Sequence, residues 1–253
     1  MRLPQFRYIH VDLGEDKPWW FKERVSPRFG TVPCIIDFNR PVFESSICIE
    51  YLEDKFPGRG TRLMPAGARH MPLCLRTSQP CDAFATLAEP TERAAVRLFV
   101  SLLDFAPLYR FLLEQDRTRD AAHAEACAAV LADLESRYSE QSRAEGPYFL
   151  GARLSAADLC MLPFIARLGP ALKAFRGYHL CDVAHEGCNA VLPRICTAMR
   201  ALQARPSWHA TCCEPTLYVS AMEGYAAGKP GVPRRVRALS PDAAAYAPVP
   251  PAC

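Results

Sequence analysis

The sequence contains no long hydrophobic run and no closely paired cysteines. No window of about 18 residues is free of both charge and proline, and residues 1–7 lack the apolar stretch of a signal peptide. None of the 12 cysteines forms a Cys-x-x-Cys pair, so a zinc ribbon or a dithiol redox centre is not indicated. We therefore expect a cytoplasmic chain with reduced thiols, which neither spans a membrane nor is secreted.

The main body of the chain also lacks a net charge. The formal charge of the whole chain is +3, and residues 229–253 account for all of it. The charged residues of this tail are Lys229, Arg234, Arg235, Arg237 and Asp242. Because phosphate binding needs cations clustered on a folded surface, we do not expect a nucleic-acid partner.

Hydrophobic periodicity divides the 253 residues into four parts. Residues 1–65 predict strands over 5–13, 32–38 and 41–43, the last two joined by a tight hairpin turn at Asn39-Arg40, with Ser45 and Ser46 as N-caps of a helix. Residues 66–88 show no periodicity and predict a loop or linker. Residues 89–228 carry apolar residues at helical spacing and predict an all-helical domain. Residues 229–253 hold six prolines and predict no packed structure.

A set of short motifs extends over most of residues 6–215. In chain order it includes Phe29-Gly30-Thr31-Val32-Pro33, Phe43-Glu44-Ser45-Ser46-Ile47, Leu63-Met64-Pro65, Glu92-Arg93-Ala94 and Ser155-Ala156-Ala157-Asp158. The ordered set resembles the cytosolic glutathione transferases, and most of all their omega-like, thiol-transferring branch. The resemblance implies an α+β fold, in which a thioredoxin-like N-terminal domain precedes an all-helical C-terminal domain. It also implies glutathione as cofactor, a small electrophilic or disulfide substrate, and pairing as a homodimer.

The resemblance assigns five residues to glutathione. The main chain of Val32, before an expected cis Pro33, would pair with the cysteinyl part. The helix start at Ser45 and the carboxylate of Glu44 would hold the γ-glutamyl end, and Lys17 would bind the glycyl carboxylate. Taken singly, these residues are more typical of a turn, a helix cap and a surface charge, so the assignment rests on their joint spacing.

The later helices supply the residues expected to line a second substrate pocket between the domains. These residues are Tyr109, Trp208, Leu217, Tyr218 and Met222. Such residues at helical spacing are more often part of a core. Ser155 and Asp158 have the spacing of a capping box, which predicts a structural role at the start of a core helix.

The sequence departs from the family where the catalytic group would stand. The family's first strand and first helix, with the cysteine between them, have no counterpart before residue 6, so we expect an N-terminally truncated domain without its nucleophile. Cys34 is the nearest substitute in the sequence, although its position directly after Pro33, at the start of a strand, favours a core role. Cys48, on the following helix, is also expected to be a small buried residue. A mistaken gene model would explain both this truncation and the long segment 66–88.

The alternative to a thiol transferase or reductase is a non-catalytic interaction module in a protein assembly.

One further group of side chains has the chemistry of a metal site. His179, Cys181, His185 and Cys188 place four zinc-type ligands within ten residues. Their spacing matches no standard zinc finger, and a reduced cysteine-rich loop is the alternative interpretation.

Overall fold

A computed structural model describes residues 6–11, 17–25, 30–65, 90–141, 145–180 and 191–229. The predicted linker at 66–88 and residues 230–253 of the predicted tail lie outside this part of the chain.

The N-terminal part contains a β-hairpin and a helix. Strand β1 (Cys34–Asp37) pairs antiparallel with β2 (Arg40–Phe43), and the register places Cys34 opposite Phe43. The two turn residues Phe38 and Asn39 have positive φ angles of 45° and 60°, which matches the twist of a two-residue hairpin. Helix α1 (Ser45–Lys55) follows directly and packs against both strands. The predicted hairpin and helix are therefore confirmed.

The strand predicted over residues 5–13 is wrong for its described part. Residues 6–11 form no strand, and the side chains of Phe6 and Tyr8 are 76% and 62% exposed. Alternating β-forming residues become a strand only where a neighbouring strand accepts their hydrogen bonds, and the described residues provide none here. A short π-helical segment, Phe21–Val25, follows and buries the Phe21 ring.

From residue 90 on, the described chain is largely helical, as predicted, apart from loops, a 3-10 turn at Arg117–Arg119 and two isolated β-bridges within residues 148–153. Its helices are α2 (Pro90–Ser101), α3 (Ala106–Leu113), α4 (Asp120–Gln141), α5 (Ala156–Arg176), α6 (Pro193–Gln203), α7 (Pro206–Thr211) and α8 (Pro215–Ala226). Helix α5 is central, because it contacts α1, α2, α3, α6 and α8. Among the described helices, none combines the length and the hydropathy needed to cross a bilayer.

The capping box at the start of α5 is present, and its acidic residue is fully buried. One oxygen of Asp158 accepts the N–H and the hydroxyl of Ser155, each at 2.8 Å. The other accepts the N–H of Phe149 at 3.0 Å and the hydroxyl of Tyr138. Burial raises the pKa of Asp158, and these donors oppose that shift. The predicted structural role of Ser155 and Asp158 is confirmed.

Side-chain hydrogen bonds fix the chain after α1 against the helices. The Glu53 carboxylate accepts the N–H groups of Leu63 and Met64 at 2.8 and 3.0 Å. The N–H of Ala156 then donates to the carbonyl of Leu63 at 2.9 Å, so this connection is tied to the first residue of α5. These hydrogen bonds fix the position of the start of α5 relative to the end of α1.

Candidate functional site

The open end of the β-hairpin brings together four of the five residues predicted to hold glutathione. Because Cys34 pairs with Phe43, the residues just before Cys34 and just after Phe43 lie at the same end of the two strands. Val32-Pro33 and Glu44-Ser45 are therefore neighbours across the hairpin, and all four residues are exposed. We call this group, with Lys17, the hairpin-end site.

The Val32–Pro33 peptide bond is cis, as the sequence predicts. The Val32 side chain is 38% exposed. Within the described chain, the main-chain N–H and carbonyl of Val32 make no hydrogen bond. This residue therefore presents a free polar edge at the surface.

Helix α1 begins differently from the prediction. Its N-cap is Glu44 rather than Ser45 or Ser46, and the Glu44 side chain accepts no N–H of the first turn. Within the described chain, the N–H groups of Ser45, Ser46 and Ile47 have no acceptor. A helix start with free N–H groups attracts an anion. The sequence predicted Ser45 or Ser46 as the N-cap. Because the helix begins at Ser45, this serine lies inside the helix, and its own N–H is one of the groups without an acceptor.

Glu44 has an unusual backbone conformation. Its φ of 66° and ψ of 126° lie in a region that side chains with a Cβ rarely adopt. Such a conformation costs roughly 1–3 kcal/mol and is found most often at functional sites. Here it holds an exposed carboxylate beside the free N–H groups of α1.

Lys17 joins the hairpin-end site through the segment that leads into Val32. Its ammonium Nζ donates to the carbonyl of Gly30 at 2.5 Å. Gly30 has a φ of 61°, which glycine adopts without strain. The fifth predicted residue is thus held two residues before Val32, and it brings a positive charge to the site.

The nearest thiol is poorly suited to act as a nucleophile. Cys34 is half-buried as the first residue of β1. Burial, together with the neighbouring Cys48, raises the pKa of the Cys34 thiol. A reactive cysteine needs a lowered pKa, so this environment favours the core role. Cys48 is buried and its Sγ lies 3.4 Å from the Val42 carbonyl, which confirms its predicted place in the core.

The five residues predicted for a second pocket are not brought together. Trp208 and Tyr218 line a cavity of about 400 Å³ between α5, α6, α7, α8 and the chain after α1. Met222 lies in the hydrophobic core and Leu217 is half-buried on α8. The Tyr109 hydroxyl accepts a hydrogen bond from Arg167 at 2.7 Å, and burial raises the pKa of Tyr109. Helical spacing alone could not distinguish core positions from cavity positions.

The cavity also contains residues that the sequence did not single out. Arg205 and Cys212 are among its lining residues, and Cys212 is exposed. Neither belongs to a recognisable motif, so no sequence signal indicated them.

The predicted zinc ligands are largely outside the described chain. His179 is exposed at the end of a described segment, while Cys181, His185 and Cys188 lie in residues 181–190, which are not described. In the described ranges, no three metal-binding side chains come together.

Two family models match the chain. One, described as the glutathione S-transferase N-terminal domain, matches residues 2–55, and one for the glutathione S-transferase C-terminal domain matches residues 108–205. Together they span more than half of the chain, in the family's order. This chain belongs to the cytosolic glutathione transferase family.

Curated relatives of this glutathione transferase family member include plant proteins. A probable glutathione S-transferase of rice, Oryza sativa subsp. indica, is 28% identical over 168 residues. The match covers 64% of this chain and 62% of the rice protein, so the chain spans less than two thirds of that relative's length.

Solved structures of family members share the fold. A rice glutathione transferase in complex with glutathione superposes with a TM-score of 0.62 and 20% identity, over 88% of this chain and 86% of that one. An omega glutathione transferase from Trametes versicolor superposes with a TM-score of 0.53 and 27% identity, over 83% of this chain and 75% of that one. The fold is therefore shared with these solved members of the family.

Proposed function

We propose that this glutathione transferase family member binds glutathione at the hairpin-end site and catalyses the reaction of the glutathione thiol with a small electrophilic or disulfide substrate. The strand register carries the proposal, because pairing Cys34 with Phe43 sets Val32 beside Glu44 and Ser45. A free backbone edge, a carboxylate with open helix N–H groups, and an ammonium then surround one end of the hairpin.

Each part of the site complements one part of glutathione. The unpaired main chain of Val32 matches the extended cysteinyl unit, as one strand edge matches another. The free N–H groups at the start of α1 match the γ-glutamyl carboxylate, and Glu44 matches the γ-glutamyl ammonium. Lys17 matches the glycyl carboxylate, and its present bond to Gly30 keeps it close to the Val32 segment.

The reaction uses the sulfur of glutathione as the nucleophile. The thiol of glutathione gives up its proton to water. The sulfur then either displaces a leaving anion, such as halide, from an electrophilic carbon, or bonds to one sulfur of a disulfide, whose other sulfur leaves as a thiolate. In omega-like members the resemblance places a Lys-Pro pair ahead of aromatic residues at the glycyl carboxylate. Lys17-Pro18-Trp19 matches that pattern, which supports the omega-like, thiol-transferring form of this chemistry. We further propose that the protein acts in the cytoplasm as a homodimer. Burial raises the pKa of the Cys34 thiol, which argues against this residue as the nucleophile and favours the sulfur of glutathione in that role.

Binding and turnover are tested separately. The full chain should be retained on immobilised glutathione and eluted by free glutathione. Glu44→Gln should weaken retention, because it removes the negative charge that faces the ammonium, while Glu125→Gln, an exposed residue of α4, should not. Failure of the full chain to bind would overturn the proposal.

Turnover is then measured with a thiol-exchange assay and with a conjugation assay on an activated aromatic halide. Activity in either would establish a transferase. Retention without activity in both would contradict the catalytic part, and would favour a glutathione-binding module without turnover.

A further inference from the structure

Two cysteines lie on neighbouring elements beside the hairpin-end site. Cys34 is the first residue of β1, and Cys48 lies near the start of α1. Helix α1 packs against β1, and both cysteines carry free thiols. Cys34 is half-buried, whereas Cys48 is only 5% exposed. One of the two thiols can therefore be reached from the surface, and the other is covered.

The two thiols contact the same cross-strand pair of residues. Ile35 of β1 lies opposite Val42 of β2 in the hairpin. The Sγ of Cys34 lies 3.8 Å from the carbonyl oxygen of Ile35. The Sγ of Cys48 lies 3.4 Å from the carbonyl oxygen of Val42. The main chain of Val42 also acts on the Cys34 thiol, and the main chain of Ile35 acts on the Cys48 thiol. Both sulfurs therefore lie against a single residue pair of the hairpin.

The electrostatics of the two thiols agree with this proximity. Burial raises the pKa of both, and the neighbouring Cys48 adds to the rise at Cys34. Because little thiolate is present at neutral pH, the pair does not support rapid turnover. A lasting modification needs only one exchange event, so a small thiolate fraction is sufficient for it.

We propose that Cys34 and Cys48 form a reversible disulfide that joins β1 to α1, with a small-molecule disulfide as the oxidant. The Cys34 thiol gives up its proton to water, and its sulfur bonds to one sulfur of the small disulfide, whose other sulfur leaves as a thiolate. The Cys48 thiol then loses its proton, and its sulfur bonds to the Cys34 sulfur and displaces the second half of the small disulfide as a thiolate. Both released thiolates take up protons. Two protein thiols are thereby oxidised, and one small disulfide is reduced to two thiols.

The disulfide connects the two sides of the hairpin-end site. Cys34 follows Val32 by two residues, and Cys48 follows Ser45 by three. Oxidation therefore fixes the strand that carries Val32 to the helix that begins at Ser45. Disulfides in proteins with otherwise reduced thiols are usually transient or redox-sensing, and this position suits such a role. The bond forms without glutathione, so the modification stands apart from the proposed function.

The test is peptide mapping of the full chain without reduction. The protein is incubated with 2-hydroxyethyl disulfide, free thiols are blocked with N-ethylmaleimide, and the chain is cleaved on the N-terminal side of aspartate. Cleavage before Asp37 separates the two cysteines, so the disulfide appears as a linked pair of peptides that dithiothreitol releases. We expect this pair to account for most of the Cys34 recovered. Because this oxidant contains no part of glutathione, the result does not depend on whether the protein is retained on immobilised glutathione.

Three variants sharpen the test. Cys34→Ser and Cys48→Ser should each abolish the linked pair, and Cys48→Ser should leave Cys34 as a mixed disulfide with the small thiol. Cys212→Ser, which removes an exposed thiol just after α7, should leave the linked pair unchanged. Cooperative urea unfolding confirms that each variant is folded.

Urea unfolding of the wild type gives a second readout that requires no variant. The oxidised protein should unfold at a higher urea concentration than the reduced protein, because a cross-link restricts the unfolded chain. In the mapping experiment, three results would each overturn the proposal: a mixed disulfide at Cys34 without the linked pair, a link from Cys34 to a different cysteine, or Cys34 left unmodified.

Discussion

The buried carboxylate of Asp158 accepts a hydrogen bond from the hydroxyl of Tyr138, a residue near the end of α4. The same carboxylate accepts the N–H groups of Ser155 and Phe149. One side chain therefore joins α4, the loop before α5, and the first turn of α5. Buried networks of this kind are costly to break because each donor loses its acceptor.

Replacing this carboxylate should destabilise the protein. Asp158→Asn places an amide N–H₂ against groups that themselves donate, and we expect the free energy of unfolding to fall by about 2–4 kcal/mol. The control is Asp133→Asn on α4, whose 57% exposed side chain pairs with Arg137. That variant should lose about 0.5 kcal/mol or less. Urea titrations of both variants measure the difference, and equal losses would contradict the structural role of Asp158.

Arg176 should stabilise the end of α3. This last residue of α5 donates to the carbonyls of Phe111, Leu112 and Glu114 at 2.8, 2.5 and 2.6 Å. The carbonyls at a helix end have no partner within the helix. We expect Arg176→Met to cost about 2–3 kcal/mol. Arg153→Met serves as the control, because Arg153 makes an exposed ion pair with Glu92. Thermal or urea unfolding that shows no difference between the two would count against this role.

The hairpin should contribute a pH-dependent part of the stability. Lys55 and then Tyr51 hold the pKa of Asp37 below its ordinary value of 3.8. A carboxyl whose pKa is lower in the folded state stabilises the protein fully above its unfolded pKa. This contribution is lost as the pH falls through the folded pKa. The difference in unfolding free energy between the wild type and Asp37→Asn should therefore be present at pH 6 and shrink towards pH 3. A difference that stays constant would contradict the assignment.

The thiols should differ strongly in reactivity. Burial raises the pKa of both Cys127 and Cys160 to about 11, whereas Cys212 is exposed. Since the thiolate is the reacting form, iodoacetamide at neutral pH should modify Cys212 at least about tenfold faster than the two buried cysteines. Timed labelling with peptide mapping gives the three rates. Comparable rates would mean that α4 and α5 are not packed as described.

Local signals in the sequence predicted much of the fold. The Asn39-Arg40 turn region predicted the hairpin, helical periodicity predicted the C-terminal helices, and the Ser155–Asp158 spacing predicted a capping box. Each of these depends on residues close together in the chain. The strand expected over residues 5–13 fails in its described part, because a strand requires a distant partner that local pattern cannot supply.

The sequence grouped residues that the hairpin brings together, but it did not predict their geometry. The spacing of Val32, Pro33, Glu44 and Ser45 indicated a common site, and the hairpin register brings these residues to one end. The sequence did not reveal that Glu44 is the N-cap with a positive φ, since backbone conformation there depends on how α1 meets β2. It also could not separate Trp208 and Tyr218 from Met222, because cavity and core positions repeat with the same helical period.

The most direct test of the hairpin-end site compares glutathione with its glycyl monoethyl ester, in which the glycyl carboxylate is replaced by a neutral ester. Calorimetric titration should show that Lys17→Met weakens glutathione binding about tenfold and leaves binding of the ester unchanged, because only glutathione carries the carboxylate that we propose Lys17 to hold. Lys173→Met, an exposed lysine of α5, should affect neither. Equal loss for both ligands, or no loss for glutathione, would contradict the assignment of Lys17.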